Sequence, residues 1–299
     1  KQASYDYLLI GHLDTVFPKG TTACRPFAVK DGKAYGPGTV DMKAGVLLMI
    51  YIAEALLTTR PDLSLCLMFN SDEETGSMES APYLLDAARQ CRCAFVFEGG
   101  RKNEQFVYER KGCVKYDINV TGIPSHAGTA PHLGASAIVE MAHWIELLDR
   151  LKRYDRGTSV NIGLIEGGSA LNVVAEHCIA KVEIRYSEEK ELTRVEQAMK
   201  KRQAKPYVAG TQTSVTRLSH TSPLTATRKT LQLMEIIRSY GVQISQNPPV
   251  DFVKAGGLSD ANRLAQAEIP IVDGCGPGGG FPHSEKEFLL IETVEKRFY

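Results

Sequence analysis

Residues 63–69 form an apolar run that passes without a break into Asn70-Ser71-Asp72-Glu73-Glu74-Thr75-Gly76, so three consecutive carboxylates stand where a buried strand gives out. Neighbouring carboxylates repel one another, and in α/β folds sites gather beyond the carboxyl ends of strands. Such a cluster persists when it is solvated, when it caps the helix that begins near Met78, or when a cation neutralises it. The pattern recurs along the chain. Residues 7–10 read as a short buried strand delivering Gly11-His12-Leu13-Asp14, and residues 94–97 as another ending in Glu98-Gly99-Gly100.

Between these strands the Gly/Pro-rich turn Tyr35-Gly36-Pro37-Gly38 leads to Asp41 at the mouth of an apolar helix over 46–57. Asp41 there serves as an N-cap, as a metal ligand, or as both. His12 and Asp14 share a face of an extended strand, and a metal-binding His commonly donates its second ring N–H to such a carboxylate. Strands alternating with helices through short turns predict an α/β domain, a mainly parallel sheet covered by helices on both faces.

From residue 111 the rhythm changes. Val114, Tyr116, Ile118 and Val120 alternate as a strand, Ile138, Met141, Ile145 and Leu148 have helical spacing, and two further strands, a helix and a strand follow. The order β-α-β-β-α-β predicts an inserted ferredoxin-like α+β domain over 111–218, with 1–110 and 219–299 as the two parts of the first domain. The resumed part carries a buried strand at 269–273 and then Gly274-Cys275-Gly276-Pro277-Gly278-Gly279-Gly280-Phe281-Pro282-His283-Ser284.

Lys+Arg and Asp+Glu number 35 each, so the chain has no electrostatic footprint for nucleic acid or for an anionic membrane surface. The longest apolar stretch, 46–57, is interrupted by Glu54 and is too short to span a bilayer. Seven cysteines without zinc-finger or thioredoxin spacing predict reduced core thiols and a cytoplasmic protein. Residues 1–4 run almost at once into the first strand, so the sequence is expected to start inside a domain.

His12, Asp41, Glu73, Glu74, Glu98 and His283 each stand at a strand end or at the head of a glycine-bounded loop of one predicted domain. Two imidazoles with three or four carboxylates suit zinc, manganese or cobalt, and suffice for two ions sharing a carboxylate. These stretches, with Ser125-His126-Ala127-Gly128, Glu183-Ile184-Arg185-Tyr186 and Pro282-His283-Ser284, resemble the zinc aminoacylase/carboxypeptidase metallopeptidase family, most nearly its bacterial glutamate carboxypeptidase branch. The resemblance implies two Zn2+ per chain, with Mn2+ or Co2+ as substitutes, bridged by Asp41. His12 and Glu98 would complete one site and Glu74 and His283 the other, while Asp14 would buttress His12 and Glu73 would be the general base. It further implies that His126 reaches a partner subunit's site to stabilise the oxyanion, that Asn172 and Arg185 hold the substrate carbonyl and terminal carboxylate, and that the Asp41–Met42 peptide is cis.

The function so implied is hydrolysis of the amide bond of a C-terminal or N-acylated amino acid, a glutamate-like one as the first expectation, in a small peptide or N-acyl amino acid, by a homodimer joined through the insert. Ser222-Pro223 departs from the glutamate carboxypeptidase pattern, which has a basic side chain just before the proline. An aminoacylase or dipeptidase with another side-chain preference is the enzymatic alternative. A catalytically silent dimeric binding protein is the alternative of another class.

Overall fold

The computed structural model describes residues 4–101, 104–244 and 249–299. The chain divides into two compact units, Lys1–Arg110 with Leu224–Tyr299, and Lys111–Pro223. The opening of the first unit runs β1 (Tyr5–His12), α1 (Thr21–Cys24), β2 (Ala28–Lys30), β3 (Lys33–Tyr35), α2 (Ala44–Thr59), β4 (Leu65–Asn70), α3 (Ala81–Ala88), β5 (Cys91–Val96) and β6 (Phe106–Arg110). The second unit holds β7 (Gly112–Thr121), α4 (Ala137–Arg150), β8 (Ser159–Gly167), β9 (His177–Tyr186), α5 (Glu189–Ala204) and β10 (Gln212–Thr221). The first unit then resumes with α6 (Arg228–Gln243), β11 (Phe252–Ala255), α7 (Asp260–Arg263), β12 (Ile271–Val272), β13 (Gly279–Gly280), β14 (Phe288–Leu290) and α8 (Glu292–Phe298).

In the first unit β12, β5, β1 and β4 form, in that order, an all-parallel sheet. Consecutive residues of β1 explain why it needs cover on both sides. Leu8 and Ile10 enter one core with Leu84, Ala94, Ala261 and Leu264, whereas Leu9 enters the opposite core with Val46, Met49, Phe97 and Met234. A strand buried on both faces reads as an unbroken apolar run, as residues 8–10 do. Helix α2 lies so close to the end of β5 that a Cβ at Gly45 would sit 2.0 Å from the Phe97 carbonyl oxygen, so only glycine fits there. Two smaller sheets lie outside the periodic pattern: parallel β6–β11, and antiparallel β13-β14-β3-β2. The strands of the antiparallel sheet are only two or three residues long and carry no periodicity for a sequence reading to detect.

The second unit is an antiparallel sheet in the order β10-β7-β9-β8, with α4 and α5 packed into one core around the fully buried Trp144, Met141, Leu148, Ile118 and Ile184. Its last strand runs past residue 218 to Thr221. The register shifts between Arg217 and Ser219, which breaks the alternation that the sequence reading follows. Among the described residues no helix is long and apolar enough to cross a membrane.

Candidate metal centre

Parallel pairing brings the ends of β4, β1 and β5 side by side, with His12 opposite Asn70 and Ile10 opposite Val96. His12 is 1 % exposed at the last position of β1. Its Nδ1–H donates to the Asp14 backbone carbonyl at 3.0 Å, so in the neutral ring the bare nitrogen is Nε2. That atom lies 3.1 Å from Asp41 Oδ1 and 3.8 Å from Glu98 Oε1. The other oxygen of Asp41, Oδ2, lies 3.0 Å from His283 Nε2, which is 3.2 Å from Glu74 Oε2. His12, Asp41 and Glu98 thus form one group, and Asp41, Glu74 and His283 a second, each with its donor atoms within 4.8 Å of one another. The Asp41–Met42 peptide is cis.

The acidic run of residues 72–74 divides its labour. Asp72 Oδ2 accepts the backbone N–H groups of Glu79 and Ser80 at 2.9 and 3.1 Å and so holds the turn that leads into α3. Glu74 joins the second group. Glu73 belongs to neither group, but its burial beside them pushes its carboxyl up to about 8, assisted by the charges of Asp260, Glu74 and Asp41 and opposed by His12. Burial, Asp41 and Glu73 raise Glu98 well above the usual carboxylate range, and burial and Asp41 raise Glu74. For His12 burial acts downward, yet the hydrogen bond to Asp41 and the charges of Glu98 and Glu73 outweigh it and carry the imidazole up to about 10. Protons are therefore held where a cation's charge would substitute for them. One further atom fits a cation: Glu74 Oε1 is buried with no hydrogen-bond partner among the described residues.

Two carboxylates support this arrangement from behind. Asp14 does more than face His12 Nδ1 at 3.4 Å, since its two oxygens accept the N–H groups of Glu73 and Glu74 at 3.3 and 2.9 Å and so set the turn that carries both. Glu287, fully buried, accepts the N–H groups of Gly38, Val40 and Asp41 at 3.0, 3.0 and 3.2 Å and fixes the backbone that presents Asp41. Sequence reasoning missed Glu287, because its partners lie about 250 positions away and nothing local marks it.

His126, Asn172 and Arg185 belong to the second unit. There the segment around His126 pairs with the segment after Asn172: Ala127 N–H donates to the Asn172 carbonyl at 2.9 Å, and His126 bridges Val173. His126 is exposed, and its Nδ1 accepts the N–H groups of Gly128 and Thr129 at 3.1 Å each, which leaves Nε2–H as the donor in the neutral ring. Arg185, half-buried on β9, donates from Nε to Glu183 at 2.7 Å.

The model of peptidase family M20/M25/M40 matches residues 8–298. The chain belongs to this family. It is thereby an enzyme of the metallopeptidase and metal-dependent amidohydrolase class. It is 25 % identical to carboxypeptidase G2 of Pseudomonas sp. (strain RS-16) over 296 residues, covering 98 % of this chain and 71 % of that one. It is 35 % identical to acetylornithine deacetylase of Proteus mirabilis (strain HI4320) over 192 residues, 60 % of this chain and 49 % of the relative, so it spans about half of that enzyme. Among solved structures, aminopeptidase PepT from Bacillus cereus ATCC 10987 shares the fold with a TM-score of 0.79 at 24 % identity, covering 100 % of this chain and 80 % of PepT.

Proposed function

We propose that this M20 chain is a dinuclear hydrolase that cleaves the amide bond of a C-terminal or N-acylated amino acid. The observation that carries the reading is Asp41, whose two oxygens face two different histidines, each with a second carboxylate beside it. His12, Asp41 and Glu98 would hold one ion and Asp41, Glu74 and His283 the other. Zinc is the ion the donor set favours, with Mn2+ or Co2+ as substitutes. Ions bound there would act as Lewis acids toward the scissile carbonyl and make the hydrolytic water more acidic.

Glu73 is the general base in this reading. It is held next to the ligands by Asp14 but is not one of them, so its carboxylate takes a proton from water and returns it to the leaving amine nitrogen. His126 Nε2–H donates to the developing oxyanion, Asn172 steadies the carbonyl, and the Arg185 fork receives the terminal carboxylate. His126 serves the partner subunit of a homodimer joined through the second unit.

Glu73→Gln tests the base. Turnover of N-acyl amino acids and dipeptides should fall by about 10²–10⁴-fold while the metal content measured by elemental analysis stays at the wild-type value. Loss of metal, or retained activity, would place Glu73 among the ligands or outside the reaction. Subunit exchange between His126→Ala and Glu73→Gln homodimers tests the dimer: a mixed dimer should regain up to about half of the activity, because one of its two sites has both groups intact.

A further inference from the structure

The loop that carries Glu73 is gripped from behind by α7. Asp260, 1 % exposed at the first position of that helix, accepts at a single oxygen, Oδ1, from Ser77 Oγ at 2.6 Å and from Asn70 Nδ2 at 3.2 Å. Asn70 is the last residue of β4 and Ser77 stands just past the acidic run, so one carboxylate fastens both ends of the loop. On the same helix Arg263 donates from Nη2 to the Gly76 carbonyl, and Gly76 N–H in turn donates to the Glu73 carbonyl at 2.7 Å.

The loop does not keep this shape by local preference. Gly76 and Ser77 both stand in the left-handed region, at φ 97° and 50°, where a serine seldom sits without support from outside. The support for Ser77 comes from Asp260. Helix α7 is itself moored in the core: Ser259 Oγ accepts from Ala261 N–H at 3.1 Å and donates to Asp273 Oδ2 at 2.5 Å, the oxygen that also takes Arg110 Nε at 2.6 Å in a fully buried ion pair. A line of bonds thus runs from that pair to the loop without passing through either ligand group.

The two functional carboxylates of the loop depend on this mooring unequally. Glu74 lies 3.2 Å from His283 and would also be held by an ion. Glu73 has no such second hold: among the described residues no hydrogen bond reaches its side chain, so its place is set by the backbone that bears it. Asp14 secures that backbone at one end, with a long 3.3 Å bond from Glu73 N–H, and Asp260 secures it at the other.

We propose that Asp260 is a positioning residue for the base: by fastening Asn70 and Ser77 it fixes the turn from which the Glu73 carboxylate projects. The inference rests on the reading of Glu73 as the general base. Displacing a reacting group by about 1 Å costs on the order of 10²-fold, and here the loss falls on turnover and not on the binding of zinc or substrate.

The test is a mutant cycle on the zinc-loaded protein, with amide hydrogen exchange as a readout that needs no turnover. Asp260→Ala should lower kcat by about 10–100-fold with KM and zinc content at the wild-type values, and Asp260→Asn, which keeps an acceptor oxygen, should recover part of the loss. Ser77→Ala removes the same bond from the other side and should also lower kcat, which keeps the test open if Asp260→Ala fails to fold. In either alanine variant the amides of residues 73–77 should exchange faster than in the wild type while those of α4 do not change. In the Glu73→Gln background Asp260→Ala should lower kcat no further, because a base that is absent cannot be misplaced. A further fall in that background, a loss of zinc, unchanged exchange over residues 73–77, or wild-type kcat in the alanine variants overturns the proposal. Full turnover by Glu73→Gln itself refutes the base reading instead, and faster exchange in Ser77→Ala then leaves the hold on the turn standing.

Discussion

Glu140 in the second unit and Glu74 in the first are both carboxylates withdrawn from water, and the protein treats them in opposite ways. Glu140 is completely buried on α4 and fully matched, with Arg202 Nη2 at 2.7 Å and the N–H groups of Tyr207 and Val208 at 2.8 Å each. Glu191 of the same unit is similar: burial would raise its carboxyl, but hydrogen bonds from Arg194 and Thr158 outweigh it and hold the group low. Glu74 keeps an oxygen with no partner among the described residues, and both Glu74 and Glu98 are pushed above the usual range by burial and by one another's neighbours. A carboxylate completed by its own chain serves the fold, whereas one left incomplete beside imidazoles is poised for a cation. Glu287 shows that the distinction is not simply one of unit. It is buried in the first unit and completed by three backbone donors, and so acts on the site through Asp41.

The largest expected effect separates Glu74 from Glu140. Glu74→Gln should weaken binding at the second ligand group by more than the ~10–100-fold typical of residues behind the ligands, measured by competition with a chelator, while leaving the metal-free protein as stable as the wild type or more so. Glu140→Ala should do the opposite. Breaking a buried, matched pair costs about 3–5 kcal/mol, here read from denaturant unfolding followed by Trp144, the single tryptophan, which lies in the same core. If Glu74→Gln destabilised the metal-free protein as Glu140→Ala does, the comparison would be lost.

Glu287→Gln should fall between the two. It keeps the volume but replaces an acceptor oxygen by an amide, so metal affinity should drop by about 10–100-fold through a displaced Asp41, with only a modest change in the unfolding midpoint. An unchanged affinity would reduce Glu287 to a structural residue.

The smallest effect is the dependence on pH. In the metal-free protein Glu73 is raised from 4.5 to about 8 and His12 from 6.5 to about 10. A raised folded value means that the protonated form favours the fold. The contribution of Glu73 is complete below about 4.5 and lost as pH climbs through 8, and that of His12 is complete below about 6.5 and lost through 10. Metal binding requires the ligand His12 unprotonated and is favoured by the negative charge of an ionised Glu73 beside the ligands, so it gains as the two titrate. The rise in melting temperature on adding zinc should therefore widen from pH 6 to pH 8, and a rise that narrows over that interval would contradict the account of the centre.

The parallel sheet, the β-α-β-β-α-β insert and the side chains that converge on Asp41 were legible in the sequence. Apolar runs of period two or 3.6 declare strands and helices locally, and a His or carboxylate immediately after such a run is placed at the sheet edge by the run itself. The tertiary structure alone decided which carboxylates are satisfied. Residue type and spacing do not separate Asp72, Glu73 and Glu74, which the family resemblance told apart only in part; in the structure one holds the turn ahead of a helix, one stands free of both ligand groups and one joins His283. Glu287 carries no periodic or positional mark, and it matters because of Gly38, Val40 and Asp41. The physical reason is that secondary structure follows from interactions a few residues apart, whereas the solvation and pairing of a buried charge follow from atoms that only folding brings near.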